Sequence, residues 1–304
     1  MIVRGPGSKV GRYTVMPRAT FADLADTVRE RLRQIARDFD PAGSSRQSDL
    51  QTEQRTTWTG SASLADALAL TERGYQSGTD KLRALTDEYA YAGAPAPSWE
   101  SEVAGSRPCI PSYVAGAPDC MLQRVETVQD RPRVRLVAKC NFHCGIDAQA
   151  PLLYSAGLAL AVDRLIADGH DVELVTIDST DSHLWPIVVM PFGAPMDLSR
   201  LAFCVHPSFL RRVLFAIRES DDTLPSSVRS CGYGHPMDLD ASRVSAAFPE
   251  HAESDVVSVL LPDVTYMEGR LLDAAKKGGD VAAVRLAIES FAPVIHAAIA
   301  ASEV

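Results

Sequence analysis

The densest chemistry in this 304-residue chain lies in Lys139-Cys140-Asn141-Phe142-His143-Cys144. Cys140, His143 and Cys144 are soft or borderline ligands within a few residues, the kind that Zn²⁺ takes in tetrahedral sites. Adjacent His143 and Cys144 rarely converge on one ion, and no second C-x2-C lies nearby. Cys109, Cys120 or Cys231 would have to supply a fourth ligand through folding, so a packed thiol at a strand end is the competing reading. Downstream, Asp178-Ser179-Thr180-Asp181-Ser182-His183 combines two carboxylates with an imidazole. Such a set suits acid–base work or a bound cation, and equally suits plain turn chemistry. The expectation is that no metal and no cofactor is held.

Other chemistry is absent or explained more simply. There is no G-x-S-x-G nucleophile elbow and no Walker-type phosphate loop, and Gly232-Tyr233-Gly234 lacks the third glycine of a dinucleotide fingerprint. Cys231–His235 reads as a strand end and turn, and Cys204-Val205-His206 as the lead-in to a helix. The C-x10-C pair Cys109/Cys120 would bridge only under oxidising conditions.

The elements that must position these residues follow from periodicity. Arg133–Ala138 alternates as a strand, with Val134, Leu136 and Ala138 on one face. A helix then runs from about Pro151 to Asp168, with Pro151 in its tolerated first turn and Gly169 as its stop. Asp171–Ile177 is the next strand, so strand, loop Lys139–Gly145, helix and strand form a unit of a helix-covered sheet. Ile187–Met190 reads as a short edge strand bracketed by Pro186 and Pro191. Pro207–Glu219 is a helix with Phe209, Leu210, Val213, Leu214 and Ile217 buried, after a turn capped by Asp197. Asp255–Leu261 reads as a central, buried strand bearing Val257 and Leu260, followed by helices at Glu268–Lys276 and Asp280–Ala301. Continuous apolar strands of this kind point to an α/β fold, a parallel sheet with helices on both faces.

The first hundred residues are different. Thr20 caps a helix Phe21–Arg37 with an apolar stripe at Phe21, Leu24, Ala25, Val28, Leu32 and Ile35. Polar residues 40–59 read as a loop. Ser63 caps a helix Leu64–Glu72 closed by Gly74, and another runs from Thr79 or Asp80 to about Ala92. Gly93–Pro97 and the turn-rich stretch beyond form a linker. Two parts are expected: residues 1–106 as a helical arm or cap with its linker, and residues 107–304 as the α/β domain.

The order strand Arg133–Ala138, loop Lys139–Gly145, helix Pro151–Asp168, strand Asp171–Ile177 resembles the opening of a von Willebrand factor A-like domain, over roughly residues 130–300. That family usually carries D-x-S-x-S after the first strand, whose side chains hold a divalent metal. In the nearest register here Asn141 replaces the aspartate, His143 the first serine and Gly145 the second. The hard oxygen ligands have gone, so the resemblance implies the fold with a degenerate metal site. Three phrases, residues 57–68, 111–122 and 231–239, are similar to an uncharacterised group of tailed-bacteriophage proteins. That implies a viral protein made in the bacterial cytoplasm, with a place in the virion as an alternative.

Composition limits the function classes. Hydrophobic residues are 46% and charged residues 23%, which excludes disorder as the main state, and the net charge of −9 argues against a dedicated nucleic-acid wrapper. Residues 1–37, with eight Lys/Arg against three Asp/Glu, are the one basic stretch and the one candidate for weak nucleic-acid contact. No apolar run suggests a membrane span, and the start lacks a secretory pattern. Six scattered cysteines fit a reducing compartment. The expected role is binding or assembly through a protein partner or self-association, using Lys139, Asn141, His143, Gly145, Asp178 and Asp181, rather than catalysis. The alternative is a zinc- or divalent-metal-dependent hydrolase acting at the strand-end crevice.

Overall fold

Alternation along Arg133–Lys139 sends Val134, Leu136 and Ala138 to one face of a sheet and Arg135, Val137 and Lys139 to the other, and all six are buried. A computed structural model describes residues 8–10, 13–37, 60–91, 99–103, 107–124, 133–143, 145–221, 223–229, 237–248 and 255–302. The expected loop at 40–59, the Gly93–Pro97 linker, Cys144 and Cys231–His235 lie outside the described residues.

The chain begins with short strands β1 (Ser8–Val10), β2 (Tyr13–Val15) and β3 (Ala19–Thr20), then helices α1 (Phe21–Arg37), α2 (Leu64–Arg73) and α3 (Gln76–Tyr91). A small antiparallel sheet follows: β4 (Trp99–Glu102), β5 (Arg107–Pro108) and β6 (Met121–Arg124), in the order β4-β6-β5, with α4 (Ile110–Val114) between its last two strands. Next come β7 (Arg133–Lys139), α5 (Gln149–Ala167), β8 (Val172–Ser179), β9 (His183–Met190) and α6 (Leu198–Cys204). A π-helical turn at Phe209–Leu214 leads into α7 (Phe215–Ser220), followed by α8 (Ser226–Arg229), α9 (Ala241–Ala247), β10 (Val256–Leu260) and α10 (Val264–Ser302). Gly278 and Gly279 leave helical geometry inside α10, so it is two helices joined at a kink, near the break expected between Lys276 and Asp280.

The main sheet has the order β1-β2-β9-β8-β7-β10, with β3 also pairing on β9. It is mixed rather than parallel. β7 is parallel to β8 and β10, but β9 runs antiparallel to β8, because three turn residues return the chain as a hairpin instead of a helical crossover. β9 is also not the expected edge. It is eight residues long and buried throughout, and β2 and β3 pair beside it at His183–Leu184 and Ile187–Val188. Pro186 falls between those two pairings, so its missing N–H interrupts neither. The central place expected for Asp255–Leu261 is corrected too. β10 ends the sheet, Val257 and Leu260 are only half-buried, and the inward residues are Val259 and Leu261.

The N-terminal part is helical, as its caps suggest. Asp23 N–H donates to Thr20 Oγ1 (3.2 Å) and Asp66 N–H to Ser63 Oγ (3.1 Å). It lies against the sheet as a cap and shares its core. Phe21, Leu24, Val28, Leu64 and Leu82 join the cluster that contains Leu136, Leu174 and Phe209, and the Phe21 ring stacks on Phe209 at 5.3 Å. Buried Arg212 in the π-helical turn donates from Nη2 to the carbonyls of Ser61 (3.1 Å) and Ala62 (3.2 Å).

Against the expectation of no such stretch, two helices, α5 and α10, are long and apolar enough to cross a membrane. α5 is apolar almost all round because the sheet, α3 and α10 cover it. Its contact with α10 is close at Gly157, where a Cβ would come within 2.5 Å of Ala287 Cβ.

Candidate functional site

Strands β7 and β10 lie side by side and parallel, yet the helix after β7 carries the chain the other way, to β8. That reversal is a topological switch point, where the carboxyl ends of neighbouring strands leave a crevice. A cavity of about 340 Å³ opens there, lined among others by Lys139, Asp238, Leu239, Asp263 and Tyr266.

Lys139, the last residue of β7, directs its side chain to the face opposite Ala138 and forms an ion pair with Asp263. The Lys139 side chain is 4% exposed and that of Asp263 13%. Asp263 follows Pro262 at the end of β10 and starts α10, its Oδ1 accepting the Thr265 N–H at 2.8 Å. Tyr266, one turn on, is exposed and donates its hydroxyl to Asp238 Oδ2 at 2.6 Å. That bond and the Asp238 charge raise the Tyr266 phenol above its ordinary range.

The other expected residues do different work. Asn141 is buried and clamps two strand ends: its Nδ2 donates to the Ser179 carbonyl (2.7 Å) and its Oδ1 accepts the Ser179 N–H (3.3 Å). It does not face the crevice as a ligand. His143 Nδ1 accepts the Gly145 N–H (3.1 Å), which leaves the ring proton on Nε2, 3.4 Å from Glu268 Oε2. Glu268 also accepts the Asp147 N–H at 2.7 Å, so α10 fastens the whole loop. Gly145 and Asp181 are exposed, and Asp181 acts on His183 only through its charge.

Asp178 belongs to a sealed cluster on the opposite face. Its Oδ2 lies 3.0 Å from His183 Nε2 and 3.6 Å from Arg218 Nη1, and all three side chains are at most 1% exposed. Burial by itself would raise the Asp178 carboxyl, but Arg218 and His183 more than offset this and hold it below the ordinary range. Burial lowers His183, and Arg218 adds to that against the pull of Asp178. The neutral imidazole sets Nε2 3.0 Å from both Asp178 Oδ2 and Arg218 Nη1, and Nδ1 2.8 Å from the Thr180 hydroxyl. Asp178 and Asp181, expected together in one crevice, are separated by this burial.

Cys140 points into the core on the same side, beside Thr176, Asp178 and Cys204, and burial pushes its thiol well above the ordinary range. A thiolate ligand is disfavoured there. Among the described residues, no three His, Cys, Asp or Glu side chains are grouped to hold a metal ion. Sequence reasoning missed Asp263, Tyr266, Asp238 and Arg218. For Asp263 the signal was present, as a carboxylate directly after the Pro that stops an apolar strand.

Residues 12–270 match a family described as a domain of unknown function, DUF7192. No curated protein and no solved structure matches the chain.

Proposed function

The chain belongs to the DUF7192 family, and we propose that it is a phage-encoded binding or assembly protein built on a von Willebrand factor A-like domain with a degenerate metal site. One observation carries the reading: at the switch point between β7 and β10, the Lys139 ammonium is set against the Asp263 carboxylate. A lysine there supplies the positive charge that a divalent cation would otherwise bring, and it holds Asp263 and the start of α10 in place. The order β9-β8-β7-β10, with β9 reversed, also supports the domain assignment.

The balance between docking and catalysis favours docking. The groups suited to acid–base work, Asp178 and His183, are sealed and already engaged with each other. The groups open to the crevice, Tyr266 and Asp238, form a recognition surface of one aromatic ring and one carboxylate. The bacteriophage likeness of residues 57–68, 111–122 and 231–239 supports a role in the host cytoplasm or in the virion.

The test uses the full chain and a Tyr266→Ala/Asp238→Asn variant, each captured from infected or native cells. A partner retained by the wild type and lost by the variant supports docking at the crevice; equal retention overturns it. Millimolar Mg²⁺ or Mn²⁺ should leave the melting temperature unchanged, since a metal bound to the native state stabilises by mass action. A clear metal-dependent rise that Asn141→Ala abolishes would overturn the degenerate site.

A further inference from the structure

β10 pairs with β7 alone among the described residues and ends the sheet. Asp255 O accepts the Arg133 N–H at 3.2 Å and Leu261 N–H donates to Val137 O at 2.9 Å, so alternate residues from 255 to 261 face β7. The period of two then turns the N–H and C=O of Val256, Ser258 and Leu260 to the open side. Natural edge strands are usually blunted by shortness, charge or proline. The opposite edge fits that rule, since β1 has three residues and carries Lys9. β10 does not: it has five residues, Val-Val-Ser-Val-Leu, with no charge and no proline.

A groove of about 430 Å³ runs along this edge, walled by Val244 and Phe248 around α9 and by Val294 and Ala298 of α10. None of its lining residues is charged. Val294, 37% exposed, leans over the groove from one side.

We infer that β10 pairs antiparallel with β10 of a second copy of this chain, joining the two main sheets across a twofold axis at Ser258. The outward residues 256, 258 and 260 are evenly spaced about Ser258. Self-pairing therefore sets Val256 against Leu260 and Ser258 against Ser258, and every outward backbone group finds a partner. Charge agrees with this register. Asp255, next to the strand, meets Leu261 of the other copy and not a second Asp255. A stable dimer needs roughly 800 Å² from each protomer, more than a five-residue strand provides. The walls must therefore meet as well, and the small Val294 and Ala298 let α10 approach its counterpart closely. The groove meets the crevice at Leu260 and Val294, whereas Ser258 lines the groove alone, so Ser258→Asp tests this proposal apart from the crevice.

The test is light scattering with size-exclusion chromatography over a dilution series of the full chain. The expected species is a dimer at twice the chain mass of 32.8 kDa, dissociating on dilution. Ser258→Asp sets two carboxylates opposite each other and should raise the dimer Kd about tenfold or more. Arg135 lies opposite Ser258 in the register, so the monomer tolerates this carboxylate. Val294→Lys should act in the same direction, and it carries the test if Ser258→Asp misfolds by circular dichroism. Amide exchange at residues 256, 258 and 260 should slow on dimerisation. A monomer at every concentration overturns the inference. So does a dimer that neither variant weakens, or one whose β10 amides exchange as fast as in the monomer.

Discussion

Two charged clusters stand at the same end of the main sheet, on adjacent strands and opposite faces. Asp178, His183 and Arg218 lie under the helices of one face, each at most 1% exposed. Lys139 and Asp263 lie on the other, at the mouth of a crevice that also holds exposed Tyr266. Both unite a carboxylate with a cation, so residue type does not distinguish them. Cover does. The sealed cluster sets the Asp178 carboxylate against His183 and Arg218 out of reach of solvent, which makes it a clamp between α7 and the β8–β9 turn. The crevice pair opens beside groups that reach solvent, which is what recognition requires.

The contrast can be broken most severely at Arg218. Arg218→Ala would leave Asp178 as a buried, under-compensated charge and should cost about 3–5 kcal/mol in urea unfolding. A loss below about 1 kcal/mol, within the range of exposed pairs, would show that the cluster is wet. Next in size is Asn141→Ala, which strips both bonds to the Ser179 backbone and should cost about 1–3 kcal/mol. If its stability is unchanged while partner binding falls, Asn141 is a contact residue and not a clamp.

A smaller effect is expected at the crevice. Lys139→Met keeps the buried stem, and Asp263, partly exposed, can turn to water, so the cost should be about 1 kcal/mol. A loss as large as that of Arg218→Ala would mean that the two clusters are equally sealed. The last measurement is a slope. His183 titrates lower in the folded chain than its unfolded value of about 6.5, so the unfolded state binds the extra proton. Its contribution is whole above pH 6.5 and declines as pH falls toward the folded value. The depressed Asp178 carboxyl adds a further loss only below about pH 3.9. His183→Gln should flatten stability against pH just below 6.5, and an unchanged slope would remove the neutral imidazole from the account.

How far the sequence was legible varied with the range of the interactions. Helix caps at Thr20, Ser63 and Asp197 and the strand–loop–helix–strand order were readable, because capping and apolar periodicity act over a few residues. Strand neighbours were not. Pro186 reads locally as a boundary, and only pairing by the distant β2 and β3 makes it interior. Likewise Val257 and Leu260 look like core residues until the sheet ends at β10.

The same division runs through the site. Sequence by itself determined that Lys139 lies where a strand gives way to a loop and that Asp178, Asp181 and His183 follow the next strand within six residues. Only the tertiary structure decided which of these groups meet. Alternation sends Lys139 and Cys140 to different surroundings, burial hides Asp178 and exposes Asp181, and Asp263 arrives from more than a hundred residues away. The physical reason is that a charge acquires its role from its cover and its counter-charge, and both are supplied by segments remote along the chain.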